Sequence, residues 1–293
     1  MIRGFRLSLG GQRSDPLSLK SAGARPMTRG VSVLAVVPTY LDKEVDAELL
    51  LRCLVSMSAT APQLEVVVVD DGSPARHLVA QLAPVCAELG QRLVCKEENS
   101  GFSRTVNAGL RLALAEGKDA LLVNQDIQFV DAGWFEAMVE RTDTEGRPAA
   151  VVGAKLLYPT GLIQHGGIHY SRLYGWYDHR FHFGPGDLPE ANVPAVCPVT
   201  GALQLIRHAA LEQIGLYDES FVMGYEDVDY CLRVFDAGLE CVYEPAAWAL
   251  HHESALRGRL DEKNATWLVA SAKRHKAKQA DRDHSRFYPS LTA

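Results

Sequence analysis

One stretch constrains this chain more than any other: an apolar run that stops in acid. Leu121-Leu122-Val123 breaks off into Asn124-Gln125-Asp126, and apolar character resumes at Ile127, Phe129 and Val130. A short apolar run bounded by polar residues reads as a buried strand, here one delivering a carboxylate at its C-terminal end. In an open α/β sheet that edge is where ligands bind. A strand-end Asp is equally an ordinary turn or cap residue ahead of Asp131, so the run gains meaning from its company. Residues 31–37 repeat the pattern and end in Pro38-Thr39-Tyr40. Residues 65–69 end in Asp70-Asp71-Gly72-Ser73-Pro74, with Pro74 suited to the first turn of a helix. A short third strand is expected near 93–95 and a fourth over 119–123. Between them lie helical stretches at 44–58 (Val45, Leu49, Cys53 and Leu54 on one stripe), 75–89 and 110–115. The last is approached through Glu98-Asn99-Ser100-Gly101-Phe102-Ser103-Arg104-Thr105-Val106-Asn107-Ala108-Gly109. Such strand–helix alternation is the pattern of a parallel sheet with covering helices.

The strand ends also exclude. The first strand is not followed by G-x-G-x-x-G, and no G-x-x-x-x-G-K-[ST] occurs, which disfavours a dinucleotide fold and a P-loop. Carboxylates at strand ends suit hydroxyls, base N–H groups and a metal better than bare phosphate. With 293 residues, one large or two modest domains are expected, and 47% hydrophobic with 23% charged residues is ordinary for a globular chain. A formal charge of −6 argues against a nucleic-acid binder. No apolar run approaches the ~20 residues that span a bilayer. Six cysteines form no C-x-x-C pair, so they read as buried free thiols in a reducing cytoplasm rather than a zinc site or disulfide framework.

Residues 1–30 carry six basic residues against one acid and no apolar core, the composition of a disordered leader. Beyond residue 130 the alternation is less regular. Residues 149–157 and 163–170 read as strands. Residues 171–194, rich in aromatics and His (Tyr174, Trp176, Tyr177, His179, Phe181, His182, Phe183), are either a sugar-stacking lid or a packed excursion. Residues 196–206 read as a strand interrupted by Thr200-Gly201-Ala202. In Glu226-Asp227-Val228-Asp229 an amphipathic helix begins, with Val228, Cys231, Leu232 and Phe235 on its buried stripe. Its acids either complement the helix dipole or do chemistry. Gly238 ends it, residues 239–243 return as a strand, and Trp248-Ala249-Leu250 leads into His251-His252-Glu253-Ser254. The tail, 259–293, starts as a helix whose Lys273, Arg274, Lys276 and Lys278 form a basic face, solvated or touching a membrane surface.

Taken in order, Pro38-Thr39-Tyr40, Asp70-Asp71-Gly72-Ser73, Asn99-Ser100-Gly101-Phe102 with Asn107 and Gly109, Asn124-Gln125-Asp126, Thr200-Gly201-Ala202, Gly215 with Tyr217-Asp218-Glu219, Glu226-Asp227 and His251-His252-Glu253-Ser254 resemble the family-2 glycosyltransferases. The likeness is strongest to the bacterial rhamnosyltransferase-like branch that builds surface polysaccharides, and it covers about residues 31–258. It implies a GT-A fold: an α/β domain with a mostly parallel, Rossmann-like sheet, helices on both faces, a nucleotide-sugar half (31–130) and a mixed acceptor-side half (131–258). It also implies an inverting, metal-dependent sugar transfer from a nucleotide-diphosphate sugar to a carbohydrate or lipid-linked glycan acceptor, in the cytoplasm or at the inner face of the membrane. Carried over by position, Thr39, Tyr40, Asp70 and Asp71 would hold the nucleoside, and Gly101, Arg104, Asn107 and Asn124 would lie along the donor. Asp126 and His251 would bind Mn2+ or Mg2+, and Asp227 would be the general base. Glu226, Trp176, Gly201 and His252 would touch the acceptor or support the site. Asn124 stands where many members have Asp, Gln128 where some carry a further acid, and His252 competes with His251.

The chemistry agrees with the assignment. A departing nucleoside diphosphate concentrates negative charge, which a metal neutralises. Oxygen ligands suit Mg2+ or Mn2+, and an imidazole tilts the choice toward Mn2+. An acceptor alcohol needs a base, and a carboxylate in a helix first turn favours the ionised form. Two other classes compete. A sugar nucleotidyltransferase would need a Gly-rich basic loop where Pro38-Thr39-Tyr40 stands. A degenerate, non-catalytic binding module would have no use for Asp126, Asp227 and His251.

Overall fold

A computed structural model describes residues 32–143, 148–253 and 262–288. The leader expected at 1–30 and the 258/259 boundary of the tail lie outside them. The first half follows the alternation: β1 (Val33–Thr39), α1 (Glu44–Thr60), β2 (Glu65–Asp70), α2 (Arg76–Glu88), β3 (Arg92–Cys95), α3 (Phe102–Ala115) and β4 (Asp119–Val123). Then come β5 (Ile127–Gln128), α4 (Trp134–Thr142), β6 (Val151–Leu157), β7 (Ile163–His165), β8 (Ile168–Ser171), β9 (Trp176–His179), β10 (Ala195–Val196) and β11 (Leu203–Ile206). The chain continues through α5 (His208–Ile214), α6 (Glu226–Asp236), β12 (Cys241–His251) and α7 (Glu262–Lys278).

The main sheet runs β10-β12-β6-β11-β4-β1-β2-β3. The β3-β2-β1-β4 block is parallel, β11 is antiparallel to both neighbours, and β6 and β12 are parallel. Period-two alternation sorts the core onto two faces. Val33, Ala35 and Val37 pack with Leu50, Leu54 and Met57 of α1 and Leu78 of α2. Leu34 and Val36 pack with Val106 and Leu110 of α3, in the cluster that also holds Leu232 of α6. Both faces are thus covered by helices, as expected.

Three expectations shift. The helix expected at 110 begins at Phe102, so Gly101 is its cap rather than part of a loop. The strand expected over 163–170 is split by Gly166-Gly167, and β8 folds back on β9 as a separate hairpin. The strand expected over 239–243 starts at Cys241 and runs on to His251 as one strand, β12, with a register irregularity between Glu244 and Trp248. Five cysteines are buried and free as expected, but Cys95 is exposed because β3 is the edge of the sheet.

Candidate active site

A cavity of about 910 Å³ opens at the C-terminal ends of β1 and β4. Register places its first groups: Thr39 pairs with Asp70 across β1 and β2. Gln125, just past β4, then ties the β1 end to the β4 end. Its Oε1 accepts from the Thr39 hydroxyl at 2.6 Å and from the Tyr40 N–H at 2.8 Å. Asp71 lines the cavity with its oxygens already supplied: Lys96 Nζ donates at 2.5 Å, Ser100 N–H at 3.0 Å and Gly101 N–H at 3.0 Å. Asp70, one residue earlier, accepts from the Ser73 amide and hydroxyl and holds the turn instead.

The antiparallel pairing of β5 with β12 sets His251 opposite Ile127, and His252 N–H donates to the Asp126 carbonyl at 3.0 Å. The Asp126 carboxylate and His251 imidazole, remote in sequence, therefore meet: Oδ1 to Nε2 is 3.2 Å, and both residues are buried. Burial is the largest influence on Asp126 and opposes its charge, but the facing His251 together with a backbone N–H and His252 holds the carboxyl below its ordinary value. On the far side of the ring, Nδ1 lies 3.3 Å from Gln164 Oε1. Gln164 is oriented by its Nε2, which donates to Glu253 Oε2 at 3.0 Å. A protonated His251 shares its Nε2–H with Asp126, whereas a neutral one that donates Nδ1–H to Gln164 turns its Nε2 lone pair to the same spot, where a cation can replace the proton. Nearby, Asn124 Oδ1 is buried and accepts nothing among the described residues, a costly state unless a ligand meets it. A divalent ion fits this atom set. No cluster of three or more His, Cys, Asp or Glu side chains exists among the described residues to cage one. That matches Mg2+-type sites, where one or two carboxylates work with substrate phosphates and water.

The opposite wall begins at α6. Tyr225, at φ +69°, caps it. Asp227 Oδ2 accepts from Gly201 N–H at 2.9 Å and Oδ1 from Val228 N–H at 2.7 Å. The approach is close: a Cβ at position 201 would lie 3.0 Å from the Tyr217 hydroxyl and 3.3 Å from Asp227 Cβ, so those neighbours would have to give way slightly. Burial raises the Asp227 carboxyl above its ordinary value, and the two N–H donors partly offset it. Glu226 is pushed up to about 8, first by burial and then by the Asp227 charge. Asp229 takes no part in the cavity. It is buried and paired with Arg233 at 3.0 Å and Lys278 at 2.6 Å. Trp267 and Leu268 of α7 complete the wall, so the helix whose basic face is expected to meet solvent or a membrane also borders the cavity.

Of the residues singled out in the sequence, Thr39, Tyr40, Asp71, Gly101, Asn124, Asp126, Gly201, Glu226, Asp227 and His251 line this one cavity. Asp70, Arg104, Asn107, Trp176 and His252 are not in its lining. Asn107 is spent tying α3 to the segment after α5: its Oδ1 accepts from Tyr217 N–H and its Nδ2 donates to the Tyr217 carbonyl, both at 2.9 Å. Arg104 pairs with Glu219 at 3.5 Å. Trp176 lies in an exposed stack with Tyr174, centroids 5.2 Å apart, on the β8–β9 hairpin whose Tyr177, Asp178 and His179 do reach the cavity. His252 Nε2 faces Gln128 Oε1 at 2.9 Å. Sequence reasoning missed Gln125, Gln164, Glu253, Lys96 and the α7 residues. Gln125 stood inside the Asn-Gln-Asp motif; nothing in the local pattern marks Gln164 or Trp267.

The family model of glycosyl transferase family 2 matches residues 34–213. The O-antigen biosynthesis protein RfbC of Myxococcus xanthus is 28% identical over 236 residues, covering 78% of this chain and 18% of that protein. The N-acetylglucosaminyl-diphospho-decaprenol L-rhamnosyltransferase of Mycobacterium tuberculosis is 28% identical over 235 residues, 71% of this chain and 73% of that one. The chain spans only 22% and 18% of the first two curated relatives it matches. The crystal structure of GalNAc-T7 with UDP, GalNAc and Mn2+ superposes with a TM-score of 0.59 at 16% identity, covering 75% of this chain and 44% of that one. The fold is GT-A.

Proposed function

The chain belongs to glycosyl transferase family 2, and on that premise we propose that it moves a sugar from a nucleotide-diphosphate sugar to a hydroxyl of a carbohydrate or lipid-linked glycan acceptor, with inversion, in polysaccharide or glycoconjugate synthesis. One observation carries the proposal: the Asp126–His251 pair and the Asp227 carboxylate, drawn from distant parts of the sequence, border a single cavity. The relatives' names, an O-antigen biosynthesis protein and a rhamnosyltransferase, support the substrate class.

In this reading Thr39, Tyr40 and Asp71 receive the nucleoside. Asp71 is held in place by three donors at the cavity edge, which suits it to position a base N–H or a ribose hydroxyl. Asp126 and His251, with Asn124 beside them, would hold Mn2+ or Mg2+, which when bound neutralises charge on the departing diphosphate. Asp227 takes the acceptor proton. Its N–H partners keep it ionised, while burial lifts its proton affinity toward what a base at neutral pH requires. Inversion follows from a single displacement, in which the acceptor oxygen attacks the anomeric carbon from the face opposite the diphosphate. A lipid-linked acceptor would bring the enzyme to the inner face of the membrane as a peripheral protein. Among the described residues no helix is long and apolar enough to cross one.

The test is a donor screen scored for nucleoside diphosphate release with Mn2+ and Mg2+. Wild type should release it, and Asp126→Ala should lose both metal-dependent donor binding and turnover while remaining folded by circular dichroism. Pyrophosphate release would point to a nucleotidyltransferase, and binding without turnover to a degenerate module.

A further inference from the structure

The two adjacent carboxyls at the start of α6 are provided for unequally. Asp227 receives a backbone N–H on each oxygen. Glu226 is 7% exposed and lines the cavity. Its only donors are the backbone amides of its own turn, at Gly224 and Glu226 itself, and its Oε2 has no partner among the described residues. No cation faces it. The titratable groups around it are Asp227 on its own helix and the Tyr217 phenol, which donates to Gln204 Oε1 at 2.8 Å and is held neutral by burial. Neighbouring buried carboxyls do not both ionise readily, and the proton settles on the one with fewer donors.

A protonated Glu226 has an O–H and, among the described residues, no protein atom to give it to. Its wall is the one that carries Asp227, and Leu268 of α7 closes over the adjoining Gly224. We propose that Glu226 acts as a neutral carboxylic acid that donates a hydrogen bond to an oxygen of the sugar acceptor, adjacent to the hydroxyl that Asp227 deprotonates. The inference rests on the transfer reading above and deepens it. The preferred acceptor carries a second oxygen beside the attacked hydroxyl, and Glu226 selects for it.

The two carboxyls then have opposite requirements. Asp227 must be deprotonated, so activity falls on the acid side. Glu226 must be protonated, so acceptor affinity falls as pH rises through about 8. Glu226→Gln keeps the shape and a permanent donor, whereas Glu226→Met keeps the bulk and loses the donor. In the full chain, the wild-type acceptor KM should rise about tenfold per pH unit on the alkaline side. It should stay flat in Glu226→Gln and be high at every pH in Glu226→Met. An independent readout is a carbon-13 NMR titration of glutamate-labelled protein, with the Glu226 signal identified by its loss in Glu226→Gln. The expected midpoint lies near 8 and falls in Asp227→Asn, where the neighbouring charge is gone. A midpoint in the ordinary glutamate range, around ~4.3, overturns the inference. So does an alkaline limb that persists in Glu226→Gln, or a Glu226→Gln variant as inactive as Asp227→Asn. Failure of the transfer reading looks different: wild type would release no nucleoside diphosphate, whatever the midpoint.

Discussion

The wall formed by the ends of β1, β2 and β4 and the wall formed by α6 and α7 meet in one cavity, with the end of β12 at their junction, but are built on opposite plans. On the first wall the side chains are spent on one another. Gln125 holds Thr39 and Tyr40, and Lys96, Ser100 and Gly101 hold Asp71. On the second wall, and where the two meet, polar atoms that line the cavity are buried without a partner among the described residues: Asn124 Oδ1 and Glu226 Oε2. A satisfied wall is preorganised and binds without rearranging; an unsatisfied one stores a demand that a substrate can meet. The contrast implies that changes on the first wall act on donor and metal affinity, and changes on the second on turnover and acceptor affinity.

The largest expected effect tests that division at the base. Asp227→Asn keeps shape and hydrogen bonding and removes basicity. Turnover should fall roughly 10²–10⁴-fold, while the donor Kd from calorimetry stays nearly constant. A donor Kd that moves with kcat would mean the two walls are not separable.

A second expectation concerns stability. His275, 4% exposed, stacks on Tyr225 with centroids 4.9 Å apart, at the helix cap before Glu226. Burial drives its imidazole down to about 4, against an ordinary value of 6.5. The unfolded chain therefore takes up a proton that the folded chain resists. Stability is whole above pH ~6.5 and is lost as pH falls through about 4, on the order of 3 kcal/mol in total. Urea unfolding followed against pH should show this acid loss, and His275→Phe should remove most of it. An unchanged slope would detach α7 from the acceptor wall.

How much of this was legible in the sequence divides along the same line. The β1–β4 block was readable because periodicity and strand-end punctuation are local, so Asp71, Asp126 and the helices on both faces could be placed from residue order. The second wall depends on contacts between distant segments. The β5–β12 pairing that brings His251 to Asp126 involves a two-residue strand too short to leave a pattern. Motif position does not reveal existing partners either. Asn107 and Arg104 sit where donor contacts were expected, yet both are engaged with the Tyr217–Glu219 segment, a distinction set by side-chain geometry rather than residue type. The basic face of α7 is legible as a solvated or membrane-touching surface, but Trp267 and Leu268 carry no signal of what they pack against.

A third test sits where the walls join. Gln164 orients His251 from behind without reaching Asp126 itself. Gln164→Met keeps the bulk and removes the hydrogen bond, and partners of this kind are worth about 10–100-fold in metal affinity. Mn2+ titration monitored by electron paramagnetic resonance should show a weakening in that range. An unchanged affinity would mean that the imidazole is held by β12 alone.

The smallest effect is the most specific. Leu268 lies over Gly224, where a Cβ would come within 2.5 Å of its Cδ1. That contact seats α7 on the turn that leads into Glu226 and Asp227. Leu268→Ala removes apolar contact from a partly buried site and leaves room that the neighbouring turn can relax into. The cost should therefore be about 1 kcal/mol, below the range for a fully buried leucine. Expressed in function, it should raise the acceptor KM several-fold, with kcat and the donor Kd unchanged, since Leu268 touches neither the β4 end nor the metal pair. A donor Kd that rises in step would show that α7 shapes the whole cavity rather than one wall, and the two-wall division would fail at its weakest joint.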